Sequence, residues 1–492
     1  MVESLETKED RGRIQMVLMR KALVCRVIGA ASGLLMAAGN MKGVLAPLQA
    51  IALIPIFYLG ASRKARHRDM LSAGVYMGLG YILPQIVMLR FPIPVTLILL
   101  VHFTIMMIAL TAGAAYLLRR GTIVSSFAVG SLLVLLDWAN FTVLPMWGEA
   151  QSLGRCWSSY PYLIQFTSLT GITGIIFVLG TLQALVVNCL TRPKMRVRSF
   201  VAAAILLGIF GAANIAICSE KPVDSLKVAA IGWTNTSSAD EANPQTNEGF
   251  ECLFARPVAE AAEDGARLIV SGELGFYIDK FSREEWLKQF GAVARRHNVF
   301  LAIGYLNAEL NEDRLLFINP QGRVLAEYTK TYLIPFEDYH RGTGQVKFIE
   351  IEGVRVGGMV CHDDNFTSLS RKCGRSEAGV VVVPTLDWAQ VKVAHLQSSI
   401  HRAIESRYAV VRAAINGISA IISPTGQVLA QQDHFADGPG FIIAEIPVYS
   451  ARTIFSIIGH WPVVVSVVFL TMCVGRSFLR RISKNQGKLC VN

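Results

Sequence analysis

The sequence predicts a multi-span helical membrane protein that carries one soluble α/β domain. Composition, the clustering of apolar residues into long runs, and a change of texture near Leu226 together predict it. Of the 492 residues, 52% are hydrophobic and only 17% charged, too apolar a balance for an ordinary soluble protein. Runs long enough to cross a hydrocarbon core fall near 21–40, 43–61, 70–89, 92–118, 122–144, 160–190 and 199–218, with one more near 454–475. From Leu226 onward these give way to short strand-like runs separated by polar helical stretches. The expected organisation is a cytoplasmic segment 1–20, about seven transmembrane helices within 21–218 and an extracytoplasmic α/β domain over 219–453. A last helix at 454–475 and a basic cytoplasmic tail at 476–492 complete it, about eight helices in all.

The charge of +11 is distributed as topology signals, not as one basic face, so a nucleic-acid partner is not expected. Lys8, Arg11, Arg13, Arg20 and Lys21 precede the first run. Arg63, Lys64, Arg66 and Arg68 follow the second, Arg119 and Arg120 the fourth, and Arg192, Lys194, Arg196 and Arg198 the sixth. The intervening loops hold only Lys42, Arg90, and an Arg155 balanced by Glu149. The excess of cations in alternate loops places the N-terminus in the cytoplasm and residues 219–453 outside. Arg476, Arg480, Arg481, Lys484 and Lys488 then return the tail to the cytoplasm. The first run lacks a compact basic leader and an Ala-x-Ala exit, so it reads as a retained anchor. Asp137 is the only clear acid within the runs and lies near the outer interface, which leaves no legible ion path for a transporter.

Within 219–453, strand-like runs such as Arg-Leu-Ile-Val-Ser and Gly-Val-Val-Val-Val-Pro alternate with helical stretches at 283–297 and 391–412, and a hairpin is expected over 314–328. This alternation suggests a mixed sheet. Continuous Val/Ile/Leu runs fit strands covered on both faces. The stretch from Thr234 to Asn247 reads as a polar surface loop. The nine cysteines stand singly, with no Cys-x-x-Cys and no His pairing at metal spacing, so neither a metal nor another cofactor is expected. A disulfide framework is not expected either, although a Cys361–Cys373 bridge would remove a free thiol.

Three segments carry chemistry: Ser-Gly-Glu273-Leu-Gly-Phe, Tyr-Thr-Lys330-Thr-Tyr-Leu-Ile-Pro-Phe and Gly-Gly-Met-Val-Cys361-His-Asp. In each, a carboxylate, an ammonium or a thiol follows or flanks an apolar run. Cys361 is either a nucleophile exposed on a turn beside free backbone N–H groups or a small buried hydrophobe. Glu273 is either a general base, which would need a pKa raised toward neutral, or a solvated loop acid. Lys330 is either an oxyanion stabiliser or a lysine snorkelling to headgroups.

These segments resemble the Glu-Lys-Cys triad of the nitrilase (carbon–nitrogen hydrolase) superfamily, and the surrounding spans resemble its membrane branch, the apolipoprotein N-acyltransferases. Asp137-Trp-Ala-Asn with the following Leu-Pro-Met-Trp-Gly-Glu-Ala-Gln-Ser-Leu-Gly, the stretch from Gly171, Leu386-Asp-Trp388, Arg412 to Asn416, and Ala451 to Pro462 carry that likeness. The resemblance implies a nitrilase-like α-β-β-α sandwich inserted into the membrane domain, with Glu273 as base, Lys330 as oxyanion stabiliser and Cys361 as nucleophile. Glu337, Asp338, His362, Asp363 and Trp388 are implied as supporting residues. It further implies a bacterial cytoplasmic (inner) membrane location and a phospholipid acyl donor. The acyl chain would pass through a cysteine thioester to the α-amine of a diacylated lipoprotein acceptor. The sequence departs from the family at Pro335-Phe-Glu337-Asp338, where Pro-Phe-Gly-Glu is usual, and at His362-Asp363, where an aromatic and Glu are usual. It departs also at Gly232-Trp-Thr-Asn, and in the short stretch between Pro335 and Gly353, which lacks a long apolar arm. A membrane-tethered amidase or hydrolase with the same triad is the alternative enzyme, and a non-catalytic lipoprotein-binding scaffold the alternative outside enzymes.

Overall fold

The computed structural model describes residues 2–62, 65–234, 243–449 and 452–489, with side chains described between Met19 and Arg476. Arg63, Lys64, most of the expected polar loop, and the side chains of Lys8, Arg11, Arg13, Arg480, Arg481, Lys484 and Lys488 lie outside the described residues.

Among the described residues, 7 helices are long and apolar enough to cross a membrane: Met19–Met41, Gly43–Ala61, His67–Leu89, Ile93–Leu118, Ile123–Val143, Thr173–Thr191 and Pro193–Cys218. Small residues let them approach closely. A Cβ at Gly29 would sit 2.2 Å from the Ala73 carbonyl oxygen, and one at Gly33 would sit 2.1 Å from that of Met77.

Two of the expected spans are differently built. The run expected from 160 does not begin there: 3₁₀ turns at Arg155–Ser159 and Pro161–Leu163 and a short helix at Thr167–Thr170 precede the helix Thr173–Thr191. Pro161 and the left-handed Gly171 (φ +67°) interrupt the helical ladder. Irregular backbone beside a membrane must find polar partners in protein, and the soluble domain supplies them. Gln165 Nε2 donates to the Thr425 carbonyl at 2.8 Å, and the Ile172 N–H donates to Glu405 at 2.8 Å. The last expected span, 454–475, is broken at Gly459 (φ +78°) into a short helix Ile454–Ile458 and a helix Trp461–Leu489, whose apolar part is Trp461–Arg476. Asp137 is fully buried and accepts from Ser152 and the Leu153 N–H at 2.6 and 2.8 Å, tying its helix to the loop that follows.

Among the described residues the α/β part contains thirteen strands: β1 Asp224–Gly232, β2 Leu268–Ser271, β3 Phe276–Ile278, β4 Phe300–Asn307, β5 Glu312–Ile318, β6 Val324–Thr329, β7 Phe348–Ile351, β8 Val354–Gly358, β9 Val380–Leu386, β10 Ala409–Ile415, β11 Ile418–Ile422, β12 Val428–Asp433 and β13 Gly440–Val448. One sheet runs β13-β1-β2-β4-β5-β6 with β3 beside β4; the other runs β12-β11-β10-β9-β8-β7. Parallel pairing at β1/β2/β4/β3 and β8/β9/β10 and antiparallel pairing elsewhere make both sheets mixed. Val228, Val270 and Phe317 of the first sheet meet Val356, Val382 and Val411 of the second in a shared core. Helix Arg283–His297 covers the first sheet's outer face. Helices Thr367–Arg375 and Lys392–Ser406 cover the second, and Ile164, Phe166, Ile172 and Ile175 from the membrane part pack onto that layer. The expected helix 391–412 therefore ends at Ser406, and 409–415 is strand β10, completely buried between neighbours on both sides.

Arg155 and Glu149, which offset each other in the loop's charge count, do not pair among the described residues. Glu149 pairs instead with Arg402 at 2.8 Å and with His460 at 3.2 Å.

Candidate active site

Glu273 follows β2 by two residues, Lys330 follows β6 directly, and Cys361 follows β8 by three. Strand ends leave backbone groups unpaired by the ladder, so side chains placed there can converge without disturbing the sheet. Gly358, just before this turn, lets the two sheets close on each other, since a Cβ there would lie 2.3 Å from Leu315 Cδ2. Cys361 itself sits in the left-handed region at φ +45°. For a non-glycine residue this conformation costs on the order of 1–3 kcal/mol and gathers at functional turns.

The three tips converge. Lys330 Nζ lies 2.7 Å from Glu273 Oε1, 3.0 Å from Glu337 Oε1 and 3.3 Å from Asp313 Oδ2. The other Glu273 oxygen accepts from the Leu386 N–H, and Cys361 Sγ lies 3.7 Å from the Leu386 carbonyl. Lys330 is fully buried, which rules out snorkelling. Glu273 is buried too, not a solvated loop acid.

The electrostatics differ from expectation at the base. Burial alone would raise the Glu273 carboxyl, but the adjoining Lys330 ammonium and the Asp313 hydroxyl hold it below its ordinary value. Asp313 is pushed well above the ordinary carboxylate range by burial and by the Glu273 charge, so Asp313 carries the proton and Glu273 the charge. Burial opposes the Lys330 charge, yet Glu273, Cys361, Asp313 and Glu337 together raise it well above its usual value. Burial and the Glu273 charge push the Cys361 thiol up, so it rests protonated beside an ionised carboxylate able to take its proton.

Among the residues expected to support the triad, Glu337 reaches Lys330, whereas Asp338 is exposed and contributes only its carbonyl, to Asn311. The missing glycine before the acid is thus met by a turn that swings the first acid inward, with Phe336 at φ +81°. Asp363 is a structural tie. It accepts from Tyr328 Oη at 2.7 Å and from the backbone N–H groups of Tyr332 at 2.7 Å and Val360 at 3.2 Å, joining the Lys330 segment to the Cys361 turn. Burial nevertheless lifts its carboxyl to about 6. His362 is held neutral, with its pKa lowered to about 3 by burial. Its ring packs edge-on against Trp147 and Phe366. Trp388 meets Trp147 edge-on with ring centroids 6.1 Å apart.

Sequence reading missed four members. Asp313 was legible only as an acid alternating with Glu312 and Arg314 in a strand, which turns it to the opposite face. Asp387, His395 and Arg412 form a buried hydrogen-bonded relay behind Cys361. His395 Nδ1 lies 2.8 Å and Arg412 Nη2 2.5 Å from the Asp387 carboxylate, and His395 Nε2 lies 3.1 Å from the Cys361 carbonyl. Cys361 Sγ, Asp387 and His395 are the one group with metal-ligand spacing among the described residues, all within 4.8 Å of one another. Both ring nitrogens of His395 and both Asp387 oxygens are already engaged within this relay.

A cavity opens onto Cys361. Tyr81, Ile82, Ile86, Leu89, Leu99 and Phe103 of the membrane helices form one wall, and Leu386, Trp388, Val391 and His395 of the α/β domain form the other. A thiol that ends a water-soluble fold therefore faces an apolar space shared with the membrane part.

Residues 228–454 match the family model described as carbon–nitrogen hydrolase, and residues 32–185 match the apolipoprotein N-acyltransferase N-terminal domain. The apolipoprotein N-acyltransferase of Rickettsia prowazekii (strain Madrid E) is 21% identical over 375 residues, covering 69% of this chain and 74% of that protein. That of Bradyrhizobium diazoefficiens is 23% identical over 530 residues, covering 94% and 96%. The chain belongs to the apolipoprotein N-acyltransferase family. This membership joins the multi-pass helical part and the nitrilase-like sandwich in one membrane-bound acyltransferase. The hydrolase side of the superfamily is visible in a shorter match to the 2-oxoglutaramate amidase of Bacillus subtilis (strain 168), 29% identical over 171 residues, covering 31% of this chain and 64% of that protein.

Proposed function

We propose that the chain moves an acyl chain from a phospholipid to the α-amine of a diacylated lipoprotein through a thioester on Cys361. The observation that carries this reading is the cavity: the Glu273–Lys330–Cys361 cluster opens into a space walled by membrane helices. A substrate reaching Cys361 through that space keeps its acyl chain out of water, and holding both substrates in lipid supplies proximity.

In the first half-reaction Glu273 takes the thiol proton as Cys361 Sγ attacks the ester carbonyl. The oxyanion forms beside the Lys330 ammonium. Collapse breaks the C–O bond, and the proton on Glu273 passes to the departing lysophospholipid oxygen. In the second, the acceptor amine attacks the thioester, Glu273 accepts its proton, and that proton returns to Cys361 sulfur as the amide forms. Glu337 and the protonated Asp313 hold the ammonium in place throughout. In this proposal the membrane is the bacterial inner membrane, and residues 219–453 stand on its outer side, as the alternation of basic loops supports.

The test is intact mass after incubation with phospholipid vesicles, wild type beside Cys361→Ala, followed by a diacylated lipopeptide. A hydroxylamine-labile acyl adduct on wild type alone, discharged onto the peptide amine, is the expected result. An adduct discharged only to water would replace the transferase with a hydrolase. Absence of any adduct would leave the scaffold.

A further inference from the structure

The cavity wall carries a guanidinium with no acid beside it. Arg155 donates from Nε to Gln397 Oε1 at 3.0 Å, from Nη1 to the Ala150 carbonyl at 2.6 Å and from Nη2 to the Asn40 carbonyl at 3.1 Å. A guanidinium has five N–H groups, so these contacts fix its plane and leave donors over. No carboxylate pairs with it among the described residues. The buried Arg402, Arg407 and Arg412, by contrast, each meet a carboxylate, at 2.8, 2.8 and 2.5 Å. Arg155 remains partly accessible, and it lines the cavity that holds Cys361. A second donor stands in the same wall: Trp147 Nε1 is buried and without a hydrogen-bond partner. The carboxylate lining this space, Asp387, is taken up by Arg412 and His395.

We infer that Arg155, with the Trp147 indole N–H lining the same cavity, binds the phosphodiester of the donor lipid and so sets its ester against Cys361. An uncompensated charge next to an apolar space is costly, and a ligand that brings a monoanion on an apolar body removes that cost. A phosphodiester fits a guanidinium fork, whereas the amine of the acceptor would be repelled. This assignment rests on the acyl-transfer reading for its role, but binding of the headgroup can be measured without chemistry.

The experiment uses the full chain in nanodiscs or detergent. Binding of a non-cleavable dialkyl ether phospholipid and of the matching phosphate-free dialkylglycerol is read by tryptophan fluorescence. Acylation of Cys361 is read by intact mass with phosphatidylglycerol vesicles and with p-nitrophenyl palmitate. Arg155→Gln is expected to weaken the ether phospholipid and slow acylation from phosphatidylglycerol by about 10-fold or more, the scale of one charged hydrogen bond. The phosphate-free ligand and the nitrophenyl donor should change less than about 2-fold, and Arg155→Lys should fall between. Equal losses with all ligands would make Arg155 a structural clamp and overturn the assignment, as would no loss with any. Inorganic phosphate at millimolar concentration that competes fully with the ether phospholipid would reassign the site to free phosphate. If wild type binds the ether phospholipid with this Arg155 dependence yet forms no thioester, the headgroup site stands and the acyl-transfer reading falls.

Discussion

Two buried ion clusters in this chain use the same side-chain types for different ends. Around Lys330, one ammonium meets Glu273, Asp313 and Glu337 beside a thiol and an open cavity. Around Arg402, one guanidinium meets Glu149 and Glu405, both at 2.8 Å, in a sealed junction where the loop after the fifth membrane helix meets helix Lys392–Ser406. Thr453 Oγ1 donates to the Glu405 carbonyl at 2.6 Å there, fastening the approach to the last helix. In the first cluster the acids outnumber the cation and one must hold a proton, which leaves Glu273 charged and ready to receive another. In the second, Arg402 Nη2 meets both acids and burial keeps Glu405 protonated up to about pH 8, so the cluster fixes segments relative to each other with no thiol beside it. The comparison teaches that burial of charge marks chemistry only where a reactive atom and a ligand space adjoin it.

The largest test of that difference lies in the first cluster. Glu273→Gln should lower thioester formation by roughly 10²–10⁴, whereas Asp313→Asn, a mimic of the protonated acid, should retain most of it; single-turnover acylation followed by mass reads both. Arg402→Met should act on stability instead. Removing the cation strands the buried Glu149 carboxylate at a cost of about 3–5 kcal/mol, seen as a lowered unfolding temperature in detergent.

Thiol reactivity comes next. Because burial and Glu273 raise Cys361, iodoacetamide should alkylate it slowly at neutral pH and faster as pH rises. Glu273→Gln should shift that dependence to lower pH by removing the neighbouring negative charge.

A smaller pH effect belongs to the junction. Burial lifts Glu405 to about 8, above its ordinary value, while Arg402 limits the rise. A group raised on folding stabilises the fold below its unfolded pKa, and that contribution is lost as pH rises through the folded value. The unfolding temperature should therefore fall as pH rises from about 4.5 to about 8 and level off above, and Glu405→Gln should flatten the fall. Smallest of all, Asp338→Asn should leave both acylation and stability within about 0.5 kcal/mol, since its side chain is exposed.

Much of this was legible because periodicity and length report burial directly. A run of 20 apolar residues states its own environment, and Val380–Leu386 reads as a doubly covered strand. Glu273, Lys330 and Cys361 stood out because polar residues end apolar runs there. The turns at 160–172 were less legible. Their apolar content resembles a helix, and only packing against the α/β domain satisfies their backbone. Asp387, His395 and Arg412 were hidden because a buried polar relay leaves no pattern in one dimension.

By itself the sequence determined the membrane class, the change from long apolar runs to alternating strands and helices, and the three residue types of the candidate site, since each follows from local composition and order. The tertiary structure alone decided which acid holds the proton, which of Glu337 and Asp338 faces Lys330, and that Arg155 stands apart from Glu149. Charge states and pairings depend on distances between residues far apart in the chain, and only the fold sets those distances.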